Sequence, residues 1–162
     1  MSRWTRGVVT SGVLTGCSLL VGCSAPVEID PPELGAADQA ACEAFADELP
    51  DTLAGEQPVD TDPEDPLGGA YGDPAIAVVC GVGVPEEFGA GGQCEEADGV
   101  GWFAPPEQYD DQSADVTIFA VTHRPVVELR VPGDYRPNGL AAALTDVSAP
   151  VKQALERVDD CF

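Results

Sequence analysis

The chain has 162 residues, with 29 Asp and Glu against 7 Lys and Arg, for a formal charge of −22. Beyond residue 22 only Arg124, Arg130, Arg136, Lys152 and Arg157 oppose all 29 acidic residues. That imbalance excludes a nucleic-acid binder, because phosphate contacts need a basic surface, and it disfavours adsorption to anionic lipid.

In chain order, Arg3 and Arg6 form a short basic start, and Gly7 to Gly22 is a mostly apolar run of 16 residues without charge. A spanning helix needs about 20 residues and a secretory core about 7–15, so a cleaved signal is expected rather than a permanent anchor. Leu20-Val21-Gly22-Cys23 has the form of a bacterial lipobox. Leu14-Thr15-Gly16-Cys17 is a second candidate, but lipidation there leaves Cys23 as an odd thiol. An odd thiol is unfavourable in an oxidising compartment, so Cys23 is the expected lipidation site. The expected division is a signal peptide over 1–22, a lipidated cysteine and Pro-rich tether over 23–35, and one domain over 36–162. Diacylation would supply the two chains that stable anchoring requires. The tether reads as an extended spacer without strand or helix period.

From Asp38 to Leu49 the apolar Ala41, Cys42, Phe45 and Leu49 fall at helical spacing, with Asp38 as N-cap and Pro50 as stop. Glu56 to Asp65 is acidic and Pro-rich, hence a loop. Ala75 to Cys80 is apolar on both alternations and suits a central strand. Val84 to Asp98 reads as a Gly-rich acidic loop, and Val100 to Phe103 as a short strand. Val116 to Val121 and Val126 to Val131 read as a hairpin around Thr122-His123-Arg124-Pro125. Val147, Val151, Ala154, Leu155 and Val158 mark a C-terminal helix capped by Ser148, with Pro150 in its first turn. A preceding helical turn or two is expected over Gly139 to Leu144. The expected fold is α+β: an antiparallel sheet of about four strands, with an N-terminal and a C-terminal helix on one face.

Four segments carry a resemblance. They are Leu49-Pro50-Asp51-Thr52-Leu53-Ala54-Gly55, Tyr71-Gly72-Asp73-Pro74-Ala75-Ile76 with Val79-Cys80-Gly81-Val82, Asp98-Gly99-Val100-Gly101-Trp102-Phe103, and the hairpin ending Val131-Pro132. With the lipobox, the chain resembles the actinobacterial "domain of unknown function 3515" family. The resemblance implies a small exported envelope protein, often lipid-anchored, and carries over no ligand or catalytic residue.

Cys42, Cys80, Cys94 and Cys161 contain no Cys-x-x-Cys pair and are expected in disulfides rather than around a metal. Three connectivities are open. Cys42–Cys80 with Cys94–Cys161 is favoured, since it pins the first helix to the central strand. His123, the one histidine, lies in the hairpin connection without a Gly-x-Ser-x-Gly and is expected to be a solvated turn residue. Asp60, Asp62, Glu64 and Asp65 are candidate cation ligands, but the run lacks the glycine and distal Glu of an EF-hand. Asp110-Asp111, adjacent in a loop, does not suit the carboxylate spacing of a glycosidase. No phosphate loop is present. Trp102 is expected to be buried, and Tyr71 to anchor a turn.

The expectation is a lipid-anchored envelope protein at the outer face of the plasma membrane, non-catalytic and without cofactor, binding or scaffolding another envelope protein. Its alternative is an accessory protein that binds a small molecule or divalent cation through the acidic loops.

Overall fold

The computed structural model describes residues 25–29, 33–89, 91–136 and 138–161. The lipobox and Cys23 lie outside the described residues. Strands β1 (Val27–Glu28) and β2 (Thr61–Asp62) form a small parallel pair. Between them runs helix α1 (Ala36–Asp47). Then follow β3 (Gly68–Tyr71), β4 (Ile76–Val82), the one-turn α2 (Glu86–Gly89), β5 (Glu95–Ala97), β6 (Val100–Phe103) and β7 (Val116–Ala120). The chain ends with β8 (His123–Arg124), β9 (Val126–Val131), α3 (Asn138–Ala154) and β10 (Glu156–Arg157).

The fold is mixed α/β around a six-stranded antiparallel sheet of order β3-β4-β9-β7-β6-β5. The expectation of about four strands is therefore too small. The four expected strands are all present, and β3 and β5 extend them at the two edges. Period-2 apolar alternation could not reveal either. β3 reads Gly-Gly-Ala-Tyr, and β5 reads Glu-Glu-Ala with exposed glutamates. Gly68 is required where it stands, because a Cβ there would overlap the Val78 carbonyl oxygen on β4. A signal for β5 did exist. Asp98-Gly99 joins β5 to β6 with positive φ at both residues, 49° and 80°, as a two-residue hairpin turn demands.

The β7–β9 hairpin pairs Val116 with Val131 through Ala120 with Val127, as alternation predicts. Val127, Leu129 and Val131 join Ile76, Val78 and Cys80 in the main core, with Cys42 and Phe45 from α1 and Ala143, Val147 and Val151 from α3. α1 lies against β3, β4 and α3, while α3 also reaches β5, β6 and β9. Both disulfides are present, Cys42–Cys80 and Cys94–Cys161. The first joins α1 to β4, and the second ties the approach to β5 to the C-terminal tail.

The C-terminal helix departs from its expected bounds. It begins at Asn138 and contains Pro150 in its interior. Ser148 is not a cap. It is fully buried, and its hydroxyl donates to the Leu144 carbonyl at 2.7 Å, one turn back. The helix stops before Val158, which is 48% exposed rather than on an apolar face.

The segment expected to be an extended spacer is partly docked on the domain. The Val27 N–H donates to the Asp60 carbonyl at 2.8 Å, and the Ile29 N–H to that of Asp62 at 3.0 Å. Ile29 is fully buried with Ala70 and Val79 in a second cluster. The physical reason is that β4 is apolar on both faces. α1 covers one, and residues 27–29 help to cover the other. Among the described residues, no helix is long and apolar enough to cross a membrane.

Candidate functional site

A cleft of about 630 Å³ lies between α1 and the segment leading from β2 into β3. α1 supplies Gln39, Glu43, Ala46 and Asp47, a helical stripe at i, i+4, i+7 and i+8. Pro63 to Gly68 form the opposite wall, and Glu33 and Leu34 stand before the helix. The lining carries five carboxylates, from Glu33, Glu43, Asp47, Glu64 and Asp65, and no Lys, Arg or His. All five residues are exposed. None takes part in an ion pair found among the described residues, which join Arg130 to Glu128 and Arg157 to Glu96 and Asp160. The Gln39 amide donates to Glu43 at 2.9 Å, and the Thr61 hydroxyl donates to the Pro63 carbonyl at 2.8 Å. A smaller hollow beside it is lined by Pro26, Val59, Asp60, Thr61 and Glu64.

The candidate cation ligands are only partly gathered here. Glu64 and Asp65 line the cleft, and Asp60 lines the neighbouring hollow with Glu64. Asp62 is held in the β1–β2 pair, opposite Glu28. Among the described residues, no three His, Cys, Asp or Glu side chains come together to hold a metal ion. The cleft therefore offers a diffuse negative field suited to an extended cation, not a preformed chelate.

The family model described as a protein of unknown function (DUF3515) matches residues 8–159. The chain belongs to this family. No curated protein and no solved structure matches it. Membership in the DUF3515 family thus leaves the chemistry to be read from the residues.

In this DUF3515 protein, His123 is not the solvated turn residue expected from its place in the hairpin. It is 2% exposed. The cause is tertiary: β8 pairs antiparallel with β10, setting His123 against Arg157 and Arg124 against Glu156. The Thr122 hydroxyl oxygen lies 3.1 Å from His123 Nδ1 and accepts the Gly101 N–H at 2.8 Å. The pair resembles a nucleophile and its base, but Thr122 is fully buried and serves to join β6 to the hairpin connection.

Burial lowers the His123 pKa below its ordinary value, and the positive charges of Arg157 and Lys152 lower it further. Above about pH 6.5 both folded and unfolded chains hold a neutral imidazole. Below that the unfolded chain takes up the proton first, so stability falls by up to about 1.4 kcal/mol per pH unit until the folded-state pKa is reached. Urea midpoints measured from pH 7.5 to 5 should therefore fall more steeply for wild type than for His123→Gln. Parallel lines would contradict this.

The other candidates find structural places. Tyr71 is buried and donates its hydroxyl to the Pro50 carbonyl at 2.9 Å, anchoring the segment after α1. Burial, and then Asp51, raise its pKa. Asp111 accepts the Ser113 hydroxyl and N–H at 2.7 and 2.8 Å, which holds its carboxyl below the ordinary value. It is a turn-forming residue in the loop that Arg136 braces through the Asp111 and Ala114 carbonyls. Glu43 and Asp47 fall on the exposed side of α1, away from the buried Cys42 and Phe45. The acidic stripe on α1 was visible, but its facing wall was not, because residues 63–68 reach it only through the β2–β3 crossing.

Proposed function

We propose that this is an exported, lipid-anchored protein of the cell envelope, held by Cys23, and that its domain is a non-catalytic binding module. The acidic cleft between α1 and residues 63–68 receives a Lys- or Arg-bearing segment of another envelope protein. The observation that carries this reading is the cleft lining, with five carboxylates and no cationic side chain. Unpaired carboxylates attract a basic segment over long range and set its approach more than its final affinity.

The test is crosslinking and capture from intact cells with a tagged protein. Wild type is compared with Glu43→Lys/Asp47→Lys, a charge reversal on exposed helix positions that leaves the core untouched. One envelope protein should be enriched with wild type and reduced about tenfold or more by the reversal, which corresponds to about 1.4 kcal/mol. Its capture should also weaken with salt. Equal enrichment by wild type and the reversed variant would overturn the cleft as the site. Mass spectrometry of the exported protein tests the anchor separately, since the lipid resides on Cys23.

A further inference from the structure

We infer that the docked segment 25–29 makes the anchor short and turns the β1–β2 surface, with the mouth of the acidic cleft, toward the bilayer. The cleft's occupant is then a cationic segment lying at the membrane surface of a membrane-embedded protein. The inference rests on lipidation at Cys23 and goes beyond it.

The geometry is a matter of reach. Val27 is hydrogen-bonded to Asp60 and paired with Thr61, and Ile29 is sealed beneath the outer face of the sheet. Chain between Cys23 and Val27 spans four residues, at most about 14 Å when fully extended. A spacer running to residue 35 would have allowed several times that distance. The surface around Asp60, Thr61 and Glu64 is therefore kept near the headgroups however the remaining link bends. The opposite edge of the sheet, β5, is five strand spacings from β3, about 24 Å. Glu64 lines both the hollow beside Pro26 and the large cleft, so the membrane-proximal surface and the cleft mouth are continuous.

Charge is compatible with this placement. The screening length at physiological salt is about 8 Å, shorter than the extended link, so repulsion from anionic lipid decays within the reach of the link, and the link sets the greatest height of the domain. The same acidic surface favours a basic segment emerging beside a membrane span.

The experiment uses the lipidated full protein in phosphatidylcholine nanodiscs doped with a gadolinium-chelating lipid. Relaxation enhancement is read at each backbone amide. Val27, Thr61 and Asp62 should be enhanced at least about tenfold more than Glu95 to Ala97, given the separations above. A variant with a twelve-residue Gly-Ser insert between Ser24 and Ala25 should lose this gradient while keeping the lipid and the fold. Lipidated protein with uniform enhancement would overturn the orientation alone. Cys23 found without lipid would overturn both the anchor and the orientation. For the occupant, photo-crosslinks from position 64 to peptides flanking a membrane span support the inference, and crosslinks confined to a soluble secreted protein overturn it.

Discussion

Replacing Cys42 and Cys80 together by alanine is expected to destabilise the domain by about 4 kcal/mol. For a domain of this size that lowers the melting temperature by about 12–16 °C. The bridge closes a loop with a sequence separation of 38, and both cysteines are fully buried between α1 and β4. Opening it frees the unfolded chain and loosens the helix that covers one face of the central strand. The Cys94–Cys161 bridge closes a longer loop, with a separation of 67, so loop entropy alone predicts a slightly larger cost. We expect the opposite ranking. Cys94 and Cys161 are only partly buried, and the tail beyond β10 can fray while the core stays packed. Thermal unfolding of the two double-alanine variants checks this. A larger loss for Cys94→Ala/Cys161→Ala would mean that the tail is integral to the cooperative core.

Trp102→Ala is expected to cost about 3–5 kcal/mol, whereas Trp102→Phe should cost less than about 1.5. Trp102 is 2% exposed in β6, paired with Ala120 on β7 and Glu95 on β5. Its truncation leaves a large hole in the main core beneath α3. Phenylalanine keeps much of the ring volume and removes an indole N–H that meets no acceptor among the described residues. Removing a buried donor without a partner offsets part of the lost packing. Denaturant titration of both variants separates volume from polarity. If Trp102→Phe proved as costly as Trp102→Ala, the indole N–H would have to be hydrogen-bonded in solution.

Sequence patterns were reliable wherever one strand or helix carried its own apolar signal. β7 and β9 alternate, β4 is apolar on both faces, and α1 places Cys42 and Phe45 on one side. The edge strands carried no such signal, since glycines in β3 and glutamates in β5 pack few side chains. Pro150 hides the start of α3 from local pattern. Proline in a helix interior removes a hydrogen bond, so the helix was expected to begin just before it. The observed helix runs through it with Val147 and Val151 fully buried, so packing against the sheet outweighs the local penalty.

The candidate site divides in the same way. The acidic stripe of α1 and the acidic run after β2 are each plain in the chain, and so is the Leu20-Val21-Gly22-Cys23 run on which the proposed anchor rests. That they face one another across a cleft depends on how residues 57–68 return to the sheet edge. His123 shows the rule most clearly. Its neighbours in sequence mark a turn, and only the return of Glu156 and Arg157 beside it makes that turn a buried strand. The sequence by itself determined the charge, the cysteine complement, the central strands and the presence of the first helix, because those follow from composition and local periodicity; the helix itself starts earlier than Asp38, with Gly35 as its N-cap. Tertiary structure alone decided the sheet edges, the burial of His123, the docking of residues 27–29 and the existence of the cleft. Each of those depends on contacts between segments far apart in the chain, and local pattern carries no record of them.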